Sequence, residues 1–200
     1  MKRELPSLWL LLALLFSGGV HANDDWNGNI NLLLGGKSLD DRDWLADQQG
    51  EVGILLDFGR TSWPIHLVVD ILHSRGEFNG LVYEYYAPTL SIYQVDEEVT
   101  TRELNLGIRH YFPTASTMRP YVGGGLALID LQADWRIDNG PWQHDEGEGA
   151  GIWLDGGILW GFDHFNLGFD LRLSLADVEM ELGNYAGGGG HAGVVLGYHW

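Results

Sequence analysis

The chain has 200 residues, 29 of them glycine and none cysteine, with 12% aromatics and a formal net charge of −17. That length fits one domain, and the glycine content favours twisted strands and turns over long helices. The acidity excludes nucleic acid as a partner, and without cysteine the backbone is held by hydrogen bonding and packing alone.

The first 22 residues carry the pattern of a secretory leader. Lys2 and Arg3 precede an apolar run from Leu8 to Phe16, and Val20-His21-Ala22 is a small-x-small cleavage site that makes Asn23 the mature start. The run is too short for a bilayer-spanning helix of about 20 residues. Removing Lys2, Arg3 and Glu4 leaves nine basic against 27 acidic residues, a net charge of −18. Residues 23–200 are expected to form a single domain. No stretch in it approaches helical spanning length, so any membrane crossing is made by strands.

Eight segments alternate with period two. In the first, Trp26, Gly28, Ile30, Leu32 and Leu34 oppose Asn27, Asn29 and Asn31. The second sets Val52, Ile54, Leu56 and Phe58 against Glu51, Gly53, Leu55 and Asp57, and the third sets Ile65, Leu67, Val69 and Ile71 against His66, Val68, Asp70 and Leu72. Leu104, Leu106, Ile108 and His110 oppose Glu103, Asn105, Gly107 and Arg109 in the fourth. The fifth, from Tyr121 to Gln132, places Val122, Leu126 and Leu128 on the apolar face, although Gly123, Gly124 and Gly125 blur it. The sixth turns Ile152, Leu154, Ile158 and Trp160 one way and Trp153, Asp155 and Gly157 the other. In the seventh, Phe165 to Leu175 alternates with Asn166, Gly168, Asp170, Arg172 and Ser174. The eighth carries Ala192, Val194, Leu196, Tyr198 and Trp200 on one face and His191, Gly193, Val195, Gly197 and His199 on the other.

A soluble sandwich also alternates, but these segments run to about ten residues, enough for a tilted strand to cross a bilayer. The connections alternate as well. Gly35 to Gly50, Arg75 to Glu98, Gln132 to Gly149 and Asp177 to Gly189 are predicted as long loops, and Gly59 to Pro64, Pro113 to Pro120 and Gly161 to His164 as short turns. Trp26, Phe58, Trp63, Phe112, Trp160, Phe165, Tyr198 and Trp200 cluster at the short-turn end, as an interfacial aromatic girdle would. Tyr121 lies at that level on the inward parity, which calls for a nearby bulge or a one-residue phase shift in the fifth strand.

The chain resembles the small eight-stranded bacterial outer-membrane β-barrels, the class that includes the OmpA transmembrane domain. The resemblance rests on Arg119-Pro120-Tyr121-Val122-Gly123-Gly124-Gly125-Leu126, similar to that class's turn-to-strand phrase, and on the terminal Gly197-Tyr198-His199-Trp200. It covers the whole mature chain and includes no periplasmic peptidoglycan-binding domain. It implies an all-β, eight-stranded antiparallel transmembrane up-and-down barrel in the outer membrane. It also implies that Ala192, Val194, Leu196, Tyr198 and Trp200 are the signal read by the outer-membrane assembly machinery.

Such a barrel is just wide enough for side chains to fill it. The predicted inward charges are Glu51, Asp57, Asp70, Glu103, Asp155 and Asp170 against Arg109 and Arg172, with His66, His191 and His199 nearby. Buried there, they must be paired, protonated or matched by a cation. The turn near residue 162 is expected to set Asp155 opposite Asp170 and Trp153 opposite Arg172, so that Arg172 bridges two carboxylates; the turn near residue 61 brings Asp57 close to His66. The expected outcome is an internal charge network that plugs the lumen, and the alternative is a narrow cation or proton path. Asp70, His73 and Ser74 form the nearest catalytic constellation, but parity divides them and none reproduces the His-x-Ser motif of the lipid-A deacylase, so no enzyme, cofactor or resident metal is expected. The predicted loops are acidic. The second also holds Leu81, Tyr83, Tyr85, Tyr86, Leu90, Ile92 and Tyr93, expected to fold back on the barrel rim rather than meet a partner or a hydrophobic ligand. These features predict a monomer in contact with outer-membrane lipids and lipopolysaccharide, with a structural or envelope-interaction role. A small transport or binding barrel for a hydrophobic compound or a cation is the other reading.

Overall fold

The computed structural model describes residues 25–40, 44–86 and 89–200. The predicted leader at 1–22, the loop acids Asp41 and Asp43, and the side chain of Tyr86 lie outside the described residues. Among the described residues nine strands form one sheet: β1 (Trp26–Leu39), β2 (Gln48–Arg60), β3 (His66–Tyr86), β4 (Thr89–Tyr111), β5 (Met118–Ile137), β6 (Gln143–Phe162), β7 (Phe165–Met180), β8 (Gly183–Ala186) and β9 (Gly189–His199). Every pairing is antiparallel, and the sheet closes because β9 pairs with both β7 and β1. β8 and β9 share one register against β7: Asp177 faces Ala186, and Ser174 faces Gly189. They are two parts of a single eighth strand, so the barrel has the eight antiparallel strands that the sequence predicts.

The interruption at Gly187 and Gly188 has a local cause. The Gly187 carbonyl accepts a hydrogen bond from Lys37 Nζ at 2.9 Å. A Cβ on Gly187 would lie 2.4 Å from Val178 Cγ2, so only glycine fits where the backbone yields its carbonyl to a lumen cation.

The inside-outside parity of all eight segments follows the sequence reading. Tyr121 needs neither a bulge nor a phase shift: β5 runs in unbroken register from Tyr111 opposite Tyr121 to Val95 opposite Ile137. The ring is buried because it has a lumen partner.

Three expectations are corrected. The predicted long loops are largely strand, since β3 and β4 stay paired out to Tyr86 opposite Thr89, and β5 and β6 out to Trp135 opposite Gln143. Polarity inverts along these extensions. Phe78, Val99, Leu131, Ala133, Val178 and Met180 turn inward into an apolar cluster, while Glu77, Glu98, Gln132, Glu146 and Glu179 turn outward. A segment that is polar outside and apolar inside lacks the lipid-facing signature and reads as loop. Second, Asp155 faces Arg172, Gly157 faces Asp170 and Trp153 faces Ser174. The turn is only Asp163-His164, with Asp163 at φ 52°, so the register lies two residues from the expected one and every side chain keeps its face. Third, the Leu81 to Tyr85 group does not fold back on the rim; it remains exposed on the β3–β4 ribbon.

Along the seam between β1 and β9 the glycines differ in the room they have. A Cβ on Gly197 would lie 2.1 Å from Asn31 Oδ1 and 2.3 Å from the Ile30 carbonyl oxygen, whereas one on Gly190 meets nothing within 4 Å. Gly197→Ala is expected to lower the fraction of protein that refolds into the compact, heat-modifiable form on gel electrophoresis. Gly190→Ala should refold like the parent; equal behaviour of the two variants would remove close approach as the reason for Gly197.

Candidate functional site

The lumen holds its polar groups in tiers. At the short-turn end, Asn166 Nδ2 donates to Asn29 Oδ1 and Asn31 Oδ1, both at 3.0 Å, and Arg119 Nη2 donates to Asn29 Oδ1 at 2.9 Å and Asn166 Oδ1 at 2.8 Å. These contacts tie β5 to β1 and β7.

Above them lies the main charge cluster. Arg109 on β4 reaches Asp57 on β2 and Asp70 on β3, each at 3.2 Å, and also contacts Asp155 on β6. Arg172 on β7 lies 2.6 Å from Asp70, 3.4 Å from Asp155 and 3.8 Å from Asp170. Asp57 also meets His66 Nδ1 at 2.7 Å and accepts from Tyr111 at 2.8 Å, and Tyr121 donates to Asp170 at 2.6 Å. Each guanidinium covers an aromatic ring, Arg109 over Tyr121 at 4.7 Å and Arg172 over Trp153 at 4.9 Å. Arg172 thus bridges carboxylates as expected, but through Asp70 and Asp155 rather than a facing Asp155–Asp170 pair.

The next tier joins Glu51 to His191, one of the predicted inward histidines, and Glu103 to Lys37, which the predicted network lacks. Lys37 Nζ contacts Glu103 Oε1 at 2.5 Å, and His191 Nδ1 contacts Glu51 Oε2 at 2.6 Å. Lys37 was hidden because Gly35 and Gly36 look like the start of a loop. Its parity with Asn29, Asn31 and Leu33 was the available signal. Tyr111, Tyr121 and Asn29 also sat on inward parity, yet as uncharged residues they raised no question of charge balance.

Ser174 Oγ stands 3.0 Å from His191 Nε2, so Ser174, His191 and Glu51 line up as nucleophile, base and orienting acid would. Ser174 is fully buried, at 0% exposure, and Glu103 Oε1 lies 3.5 Å from both Ser174 Oγ and His191 Nε2. A neighbouring carboxylate opposes the negative charge that acyl transfer develops. The row ties β7, β9 and β2 together. Asp70, His73 and Ser74 are not assembled: Ser74 Oγ donates to Gln49 at 2.6 Å inside, while His73 is exposed outside. Among the described residues, no three His, Asp or Glu side chains are placed to hold a metal ion.

At the short-turn end, Trp26 packs on Phe58 and Trp63 with Arg60 over both indoles. Trp200 and Gly28 exchange two backbone hydrogen bonds, of 3.2 and 3.3 Å, and the Trp200 ring covers Gly28 on the outer face. At the long-hairpin end, Glu97 accepts from the Leu45 and Ala46 amides at 2.9 and 3.0 Å. Partial burial raises its pKa against the opposing pull of those amides. His144 Nδ1 lies 2.9 Å from Asp134 Oδ1, and that hydrogen bond, with the Glu146 charge beside it, raises the imidazole above its ordinary 6.5.

No protein-family model and no curated protein matches the chain. Solved structures do. The chain is similar to Ail, the attachment invasion locus protein of Yersinia pestis, at 10% identity and a TM-score of 0.58 over 88% of this chain and 99% of that one. It is also similar to a major outer membrane protein from Thermus thermophilus, at 10% and 0.53 over 88% and 98%, and to Neisserial surface protein A, at 14% and 0.50 over 86% and 96%. The chain has the fold of the small eight-stranded outer-membrane β-barrels.

Two outcomes follow from this geometry. Arg109→Ala leaves three buried aspartates short of a cation and should destabilise the barrel by about 3–5 kcal/mol, read as the urea midpoint of unfolding from lipid vesicles; a change below about 1 kcal/mol would show that the network adds little. Because the pKa of His144 is raised, its ion pair contributes stability in full below the unfolded-state pKa and loses it as pH rises through the folded one. An NMR titration should place the His144 midpoint above 6.5 and return it towards that value in Asp134→Asn. No difference between the two proteins would count against the pair.

Proposed function

We propose that the chain is an integral outer-membrane protein with a structural or envelope-interaction role, its lumen closed by the charge network rather than open to diffusion. The observation that carries this reading is the cross-lumen cluster of Arg109 and Arg172, 1% and 4% exposed, with Asp57, Asp70, Asp155 and Asp170. An eight-stranded barrel has room for side chains and little more. Above the cluster, Val99, Leu131, Val178 and Met180 fill the long-hairpin end with apolar groups, which disfavours a continuous polar path.

The partners of this reading are outer-membrane lipids along the apolar belt, lipopolysaccharide beside the hairpins, and the assembly machinery through Ala192, Val194, Leu196, Tyr198 and Trp200, with the protein acting as a monomer. The leader at 1–22 supplies export, and 23–200 form the barrel domain. Ail has been solved in complex with the heparin analogue sucrose octasulfate. The acid excess at the long-hairpin end of this chain argues against a polyanion of that kind as its own ligand.

A cation-binding or cation-passing barrel is the second reading. It rests on six inward acids, Glu51, Asp57, Asp70, Glu103, Asp155 and Asp170, set against Arg109, Arg172 and Lys37. Recording in planar bilayers separates the two. The closed-lumen reading expects no unitary conductance steps from the purified protein. Steady cation-selective steps that disappear in Asp155→Asn would replace it with the second reading.

A further inference from the structure

Along the outer face of β3 the polarity changes twice. Leu67, Val69 and Ile71 belong to the apolar belt, His73, Arg75, Glu77 and Asn79 are polar, and Leu81, Tyr83 and Tyr85 are apolar again. Leu90 and Ile92 of β4 stand opposite Tyr85 and Tyr83 on that same face. From Ile71 to Leu81 the strand advances about 33 Å at about 3.3 Å per residue, which sets this second apolar patch far beyond the lipid belt.

Among the described residues the patch is also free of neighbouring strands. Pairing of β3 with β2 ends at Arg75, and pairing of β4 with β5 begins only at Val95, so the ribbon beyond those points has two open edges. Leu81 is 55% exposed, Tyr83 64%, Tyr85 70%, Leu90 56% and Ile92 51%. A contiguous group of large apolar side chains held this far into water marks an interaction surface.

Charge selects the occupant. The outward surface beneath the patch carries Glu77, Asp96, Glu98, Asp130, Asp134, Glu146 and Glu148 against Arg75, Arg102, Arg136, His73 and His144, so acids stay in excess after the ion pairs are counted, and no lysine, arginine or histidine occurs from Gly76 to Thr101. A polyanion and a second copy of this chain would both meet like charge. We propose that this face docks a cationic amphipathic polypeptide segment of a partner outside the cell, with its apolar side chains on Tyr83, Tyr85, Leu90 and Ile92 and its lysines or arginines on the acids beneath. The proposal rests on the outer-membrane reading for the placement of the hairpin outside the cell, and it requires neither an open nor a closed lumen.

The test uses the full chain in nanodiscs of zwitterionic phosphatidylcholine, titrated with a fluorescent amphipathic leucine–lysine peptide; empty discs are the control. Binding above that of empty discs is expected. It should weaken by about tenfold, some 1.4 kcal/mol, in Tyr83→Ser/Tyr85→Ser and by severalfold in Glu146→Gln/Glu148→Gln, and it should fall with added salt. The heat-modifiable gel shift confirms in each variant that the barrel is folded. Equal binding by parent and tyrosine variant, or no binding beyond empty discs, would overturn the proposal while leaving the conductance result, and with it the proposed function, untouched. Equal affinity for a peptide with glutamine in place of lysine would overturn the assigned chemistry. A dimer of the parent in sedimentation that the tyrosine variant abolishes would reassign the face to a second copy of the chain.

Discussion

Arg109 touches carboxylates from three other strands, and the barrel depends on that. In a closed sheet the backbone of each strand is bonded only to its two neighbours, so nothing in the ladder connects opposite walls. Arg109 on β4 joins β2, β3 and β6, and Arg172 on β7 joins β3 and β6. Lys37 adds a tie from β1 to β4, and His191 one from β9 to β2. Burying these charges costs several kcal/mol each unless they are paired, so the cluster is weak ground for raw stability. Its larger consequence is register. A slip of one residue would turn Asp70, Arg109 or Arg172 into the hydrocarbon and leave the partners unpaired inside.

The same closed sheet serves two solvents in succession. Ile71, Leu104 and Leu128 lie in one cross-strand row of the outer face, and the next outward row is His73, Arg102, Asp130 and Glu148, with Arg102 3.1 Å from Asp130. Between those rows the outside changes from a lipid surface to a water surface. The inside changes in the opposite sense at nearly the same height, from the Lys37–Glu103 and His191–Glu51 pairs to the cluster of Val99, Leu131, Ala133, Val178 and Met180. Below the boundary, backbone bonding and charge pairs hold the wall in hydrocarbon. Above it, burial of apolar side chains contributes as it does in a soluble sheet, with Trp44, Phe78, Trp135 and Tyr185 packed against the cluster.

This change of solvent explains what could be read in the sequence. The eight strands, their parity and the members of the lower charge cluster were legible because the outer face of each segment there is apolar, while the charges fall on inner faces that also carry Leu33, Leu55, Leu72 and Val195. The extensions of β3 to β7 were not, because one period of two carries opposite meanings on either side of the boundary and outward acids such as Glu98 and Glu146 resemble loop surface. Lys37 was lost at the same edge, behind Gly35 and Gly36. The pairing of Asp155 with Arg172 turned on whether the turn spans two residues or four, and that choice lies in the left-handed conformation of Asp163, which a period-two pattern does not encode.

The tip of the β3–β4 ribbon departs from both regimes. A two-stranded ribbon is marginal alone, and cross-strand pairs such as Tyr83 with Ile92 and Tyr85 with Leu90 each contribute about 0.2–1 kcal/mol. Ladder support of that size needs β-branched or aromatic residues on one face, and the opposite face already supplies Val82 with Tyr93, both half-buried. Threonine pairs on the outer face would support the strands without exposing large hydrocarbon surface to water. Stability of the ribbon therefore accounts for some apolar residues at the tip. It does not account for five on the face turned away from the barrel, and that surplus is what an occupant of the face would explain.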